Sequence, residues 1–305
     1  AKIWSKDGAL LETLEGHEDT VWGVDISPDN STIATASWDQ TARLWAYPHP
    51  LKQVLYEPSD AVTDLDFDTT GEQFASANLD GSIQLWSRDG RLIRTVGRHS
   101  VEAWAVAISP DSTYLVSGSA DNTAKIWDLN GELLHTLTGH QDAIYAVDVN
   151  ANSQTIVTGS IDGVIKFWHR DGTRHRTFNT GQTSLFSLEF SPDGQTLATV
   201  GADKSLRLWT LSGQLIHSLG NNAINTVTFD PDGQSLAIMT DTSVELRQLN
   251  GELIRTLPLA PEESTALTDI AFSADGNMLA ATQWNNTLKT WQIKLWCTDG
   301  TELIT

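Results

Sequence analysis

Aspartate recurs along this chain six residues before the end of a short apolar run, and a regular set of carboxylates is where acid–base or metal chemistry would be sought. The pairs are Asp39/Trp45, Asp80/Trp86, Asp121/Trp127, Asp162/Trp168, Asp203/Trp209, Asp241/Arg247 and Asn285/Trp291. General acid–base catalysis needs two titratable groups brought to one substrate, and carboxylates spaced one per repeat need not converge. Metal binding by them has equally little support. Of the histidines, His17, His99 and His140 fall at one repeat position, which reads as a structural role. There is no Gly-rich phosphate loop, no His-Glu-x-x-His and no cysteine pair for zinc. Cys297 stands alone with no identifiable base beside it. No catalytic residue, metal ligand or cofactor is expected, and the chain reads as non-enzymatic.

The elements that carry these residues are short strands. In residues 131–168 four runs, roughly Leu133–Leu137, Ile144–Val149, Thr155–Gly159 and Val164–Trp168, are separated by turn residues. The turn between the second and third runs recurs as Ser27-Pro28-Asp29-Asn30, Ser191-Pro192-Asp193-Gly194 and Asp230-Pro231-Asp232-Gly233. Proline presets φ there, and Asp, Asn or Gly tolerate the rest of the turn. The first five closing tryptophans are 41 residues apart, and Trp4 to Trp291 spans 287 residues, seven such periods. A four-strand unit repeated at that period predicts an all-β propeller of seven blades, with four antiparallel strands in each. Repeats are expected to end near 45, 86, 127, 168, 209, 247 and 291, within a single domain over 1–305.

Composition narrows the partners. A formal charge of −20 argues against binding a phosphate backbone, which needs clustered lysine and arginine. The basic stretch from His169-Arg170 to Arg174-His175-Arg176 reads as a solvated hairpin. No run approaches the roughly 18 apolar residues of a membrane span. One cysteine allows no intrachain disulfide, consistent with a reducing, cytoplasmic setting. Ala1 opens in mid-repeat, so the chain is expected to be a piece of something longer.

The units resemble WD40 repeats. A Gly-His precedes the second run, Ser and Thr enrich the third, and an Asp turn leads to a closing Trp. Three sets carry the likeness: His17, Ser37, Asp39 and Trp45; His99, Ser119, Asp121 and Trp127; His140, Ser160, Asp162 and Trp168. The resemblance implies a buried hydrogen-bonded tetrad in each, and a buried Asp does need several donors. The pattern lapses at Glu57-Pro58, Gly181, Gly220-Asn221-Asn222 and Pro258–Ser264, so blades two, five, six and seven are expected to be less rigid. Near-uniform units such as Leu129–His140 are also similar to bacterial, cyanobacterial-type arrays attached to multidomain signalling proteins.

In resembling propellers the residue before the turn Asp faces the top surface, and here it is Trp38 in repeat one and Trp284 in repeat seven. Adjacent blades would bring those two indoles together. A second position, which borders the channel mouth in the family, reads Trp22, Thr63, Trp104, Tyr145, Phe186, Asn225 and Thr268. Such aromatics either plug the mouth or anchor a partner, since Trp and Tyr are common at interfaces. The expected role is a scaffold or sensor that binds a protein or peptide at its top rim, with no nucleic acid and no membrane. The alternative is an oligomer-forming propeller. Residues 2–13 nearly duplicate 294–305, so one terminal strand is surplus to closing the ring, and a surplus strand can pair with another copy.

Overall fold

The computed structural model describes residues 2–4, 10–13, 16–46, 51–55, 60–220, 223–241, 243–258, 267–285 and 290–297; for 2–4, 10–13, 51–52, 258, 267, 283–285 and 290–297 it describes the backbone alone. Among them every regular element is a strand. Six sheets hold four antiparallel strands each, lettered a to d from the axis outward. Blade one is Val21–Ile26, Thr32–Ser37, Ala42–Ala46 and Leu51–Leu55. Blades two to six follow in the same order, with a strands Val62–Phe67, Ala103–Ile108, Ile144–Val149, Leu185–Phe190 and Ile224–Phe229.

The seventh sheet departs from this plan. Leu267–Phe272, Met278–Asn285 and Thr290–Cys297 supply a, b and c; Lys2–Trp4 then lies parallel to c, and Leu10–Thr13 forms the outer edge. The seven a strands pack in a closed circle. The Val24 N–H donates to Asp269 at 2.9 Å, and the Thr268 hydroxyl donates to the Val21 carbonyl, tying the seventh sheet to the first.

Register shows what the 41-residue arithmetic misplaced. The closing residue of c sits opposite the second residue of b in the regular blades: Ile33↔Trp45, Phe74↔Trp86, Leu115↔Trp127, Ile156↔Trp168, Leu197↔Trp209 and Leu236↔Arg247. In the seventh sheet that pair is Leu279↔Trp296, while Trp291 pairs with Trp284 next to the hairpin end. The repeat therefore closes at Trp296 rather than 291, because an elongated b–c hairpin pairs eight residues on each side. Of the two rival terminal strands, Leu10–Thr13 lies on this sheet, and Glu302–Thr305 lies outside the described residues.

The core sits between blades, which is why both faces of most strands are apolar. Ala34, Ala36, Leu44 and Leu55 of blade one pack on Val62, Phe67, Phe74 and Trp86 of blade two, and the same kind of seam recurs around the ring. The a–b turns follow the expected chemistry. Asn30 adopts φ 59° and donates its N–H to the Ser27 carbonyl at 2.7 Å. At the matching Gly194 (φ 65°) a Cβ would sit 2.5 Å from Asn150 Oδ1, so only glycine fits without a shift.

Candidate partner-binding face and central channel

The tetrads form, with one member reassigned. His17 Nδ1 lies 2.8 Å from Asp39, its Nε2 lies 2.7 Å from Thr35 Oγ1, and the Trp45 indole N–H donates to the same hydroxyl at 3.1 Å. Ser117 and Thr158 take this place in blades three and four, joining His99 to Trp127 and His140 to Trp168. The residues expected there, Ser37, Ser119 and Ser160, lie at the hairpin end instead. Each donates to the loop before strand a (Asp19, Glu102 and Asp142 carbonyls) and accepts the N–H of the tetrad aspartate. Residues two apart share a strand face, so sequence pattern does not separate them; reach to the indole does.

Blade five lacks the histidine, and the next residue fills its role. Gln182 accepts from Thr199 at 2.6 Å, donates to the Ser205 carbonyl at 2.8 Å, and Trp209 still donates to Thr199 at 2.9 Å. The expected looseness at Gly181 is thus met by a substitute network one position later.

The rim position is built by a bulge. In blades one to six the a–b register slips by one residue near the start of a, so Trp22, Thr63, Trp104, Tyr145, Phe186 and Asn225 are skipped in the ladder register. A bulge re-aims its extra side chain, and all of these residues line the channel mouth. Trp104 stacks on Tyr145 at 4.7 Å between centroids, and Tyr145 meets Phe186 edge-on at 6.0 Å. Trp22 lies 5.4 Å from Trp38. Trp22 and Trp38 are each 37% exposed and Phe186 is 47% exposed, so the aromatics border solvent rather than sealing the channel. The neighbour of Trp38 among the described side chains is therefore Trp22 of its own blade. The Trp284 side chain lies outside the described residues, and its expected proximity to Trp38 with it.

Below the rim the structure assembles a feature that sequence reading missed. Asp25, Asp64, Asp66, Asp148, Glu189 and Asp269 line a cavity of about 730 Å³ on the axis. Each accepts an N–H from strand a of the next blade: Phe67, Val106, Ile108, Phe190, Phe229 and Val24 in that order. Burial inside the channel raises every one of these carboxyls. Burial pushes Asp25 and Asp148 up to about 6, Asp269 to about 7 and Asp64 to about 8. For Asp66 burial and then the charge of Asp25 raise the carboxyl well above its ordinary value, as burial and then Asp148 do for Glu189. Their signal in the sequence was an acidic residue one or three places after the mouth position, in strands otherwise apolar. Among the described residues no three His, Cys, Asp or Glu lie close enough to share a metal ion.

Comparison with known proteins agrees with this architecture. Residues 102–299, about two thirds of the chain, match the profile described as the IFT122 first beta-propeller, and residues 8–46 and 50–87 match the WD domain, G-beta repeat. The eukaryotic translation initiation factor 3 subunit I of Aspergillus niger is 46% identical over 41 residues, 13% of this chain and 12% of that protein. The subunit of Aspergillus oryzae gives the same figures. The periodic tryptophan protein 2 homolog of Mus musculus is 49% identical over 43 residues, 14% of this chain and 5% of that protein. The likeness thus spans about one repeat and a small fraction of each relative. These relatives are eukaryotic and lend nothing to the likeness with bacterial arrays. WD40 propellers are generally non-catalytic scaffolds that bind proteins. The chain belongs to the WD40-repeat β-propeller family and matches its IFT122 first-propeller form from blade three onward.

Proposed function

We propose that this chain is a recognition module that binds a protein or peptide across the top of its channel, with no catalytic step of its own. The observation that carries the reading is the set of partly exposed aromatics that bulged strands hold around one opening. Large aromatic side chains held in fixed positions are efficient interface anchors, because little entropy is lost when they are covered. On this reading the seventh sheet is the seventh blade, its outer edge supplied by Leu10–Thr13. Attachment to further signalling domains and a cytoplasmic setting complete the proposal; the lone Cys297 supports the latter.

The test is capture from a lysate of the source organism with three forms of the chain. A partner held by the wild type and by Leu215→Ser, on an exposed outer strand, but lost by Trp22→Ala/Phe186→Ala supports the rim. Loss with Leu215→Ser and retention by the rim variant moves the site to the outer edge and overturns the proposal.

A second reading, assembly into oligomers, draws on the five-stranded seventh sheet. Ile293–Cys297 pair with strand b there, so a deletion that tests this reading must begin after Cys297. A mass that rises with concentration and reverts on removing 298–305 favours it. A monomer in both forms removes it.

A further inference from the structure

We propose that the opening between Trp22, Thr63 and Thr268 takes the guanidinium of an arginine from a basic segment of the partner, stacked on the Trp22 indole and paired with Asp64 and Asp269 beneath. The inference rests on the recognition reading above and names the chemistry of the partner.

Four observations lead to it. First, the mouth ring is uneven. Blade one presents Trp22, while its neighbours present the smaller Thr63 and Thr268, whose hydroxyls are already bound to main-chain carbonyls. Small side chains thus flank the Trp22 indole along the ring, while Trp38 packs 5.4 Å from it within blade one. Second, Asp64 and Asp269 each follow a small residue in strand a, so they lie about 3.3 Å further along the channel. They flank blade one from opposite sides, and each hydrogen bonds across to a neighbouring blade. Burial first, and then the charge of Asp269, raises Asp64, whereas for Asp269 burial comes first and the like charge is that of Asp25.

Third, among the described residues no Lys, Arg or His lines the channel, so none of them supplies the acidic ring with a cation. The groups that face it from the seven a strands are Asp25, Asp64, Asp66, Asp148, Glu189 and Asp269; blades three and six offer Ala105, Ala107, Thr226 and Thr228. Asp19, Glu102 and Asp142, in the loops before strand a, add exposed negative charge, and Lys204 bonds Asn225 and pairs with Asp241 on the far side. Fourth, the carboxylates are too dispersed to share a metal ion, whereas a planar organic cation can stack on an indole face and reach two carboxylates. Arginine suits this geometry better than lysine, since its fork donates in two directions and its charge survives desolvation.

Proton linkage gives the proposal a signature. Burial lifts Asp64 to about 8 and Asp269 to about 7, so both hold protons through part of the neutral range. A guanidinium between them favours the ionised forms and releases those protons. Affinity therefore rises as pH increases from 6.5 to 8.5.

The probe is a labelled hexapeptide, Gly-Arg-Arg-Gly-Arg-Gly, with its citrulline counterpart, followed by fluorescence anisotropy at 0.15 M salt. The expected result is at least tenfold tighter binding of the arginine peptide, lost at least tenfold in Asp64→Asn/Asp269→Asn together with the pH rise. Asp171→Asn/Asp193→Asn, which removes two ionised carboxylates from hairpin turns, leaves the affinity unchanged. Should the channel variant fail to fold, Trp22→Ala carries the same test and is expected to lose severalfold. Equal binding to wild type and channel variants overturns the proposal, because the acidic surface at large then holds the peptide. Absence of peptide binding also overturns it; if the rim variant still loses its captured partner, the recognition face stands without the arginine.

Discussion

The tetrads and the channel both bury aspartates, and they move those carboxyls in opposite directions. At Asp39 burial alone would raise the carboxyl, but the His17 ring, the Thr41 hydroxyl and the Glu18 and Thr41 N–H groups outweigh it and hold it far below the usual range. Asp121 is held at about 2 on the same balance. The histidine responds in kind: burial pushes His140 down to about 4 against the pull of Asp162, so the ring is neutral at pH 7. In the channel, Asp25 receives two backbone N–H groups and, among the described residues, no side-chain donor, and burial wins. Fuller burial and fewer donors together make the channel aspartates weak acids, while more donors against a smaller burial cost keep the tetrad aspartates anionic.

That contrast can be attacked directly. Asp121→Ala leaves the His99 ring and the Thr123 and Ser100 donors without their acceptor, and should cost about 3 kcal/mol in urea unfolding. Thr158→Val removes the hydroxyl between His140 and Trp168, with an expected loss of about 2 kcal/mol by the same measurement. A null effect at Thr158 would return the tetrad role to Ser160.

The pH dependence separates the two sets by sign. Channel carboxyls raised above their unfolded values contribute stability that is complete below about pH 4 and is lost as pH climbs through about 6 to 8. Tetrad aspartates, with depressed values, contribute stability that is present above about pH 4 and is lost as pH falls through about 2. Melting temperature is therefore expected to peak near pH 5 and decline toward pH 8. Asp64→Asn should flatten the alkaline limb and gain about 1 kcal/mol at pH 8 relative to wild type. A profile that keeps rising to pH 8 would refute the channel assignment. Trp22→Ala, at a half-exposed bulge, should change stability by less than about 1 kcal/mol while affecting partner binding.

Much of the fold was legible because each repeat states its own turns and strand ends. Ser27-Pro28-Asp29-Asn30 marks a turn wherever it stands, and the closing tryptophans mark strand c in five repeats. Legibility failed where one position can be reached two ways. Ser37 and Thr35 share a face, and only the distance to the Trp45 indole separates them. Trp291 and Trp296 lie in a single strand, and only the pairing with Leu279 shows which one closes the repeat. Gln182 replaced a missing histidine because the loop could shift by one residue.

The 41-residue period dictated the blades, since each sheet depends on local turns and on apolar faces that neighbouring blades cover. The mouth aromatics were also visible, as a column in the aligned repeats. Tertiary structure alone decided the carboxylate ring. Asp64 and Asp269 stand 205 positions apart in the chain, and nothing local links them. They flank the same strand only because the ring closes, and closure removes enough water to turn scattered acidic residues into one shared electrostatic site.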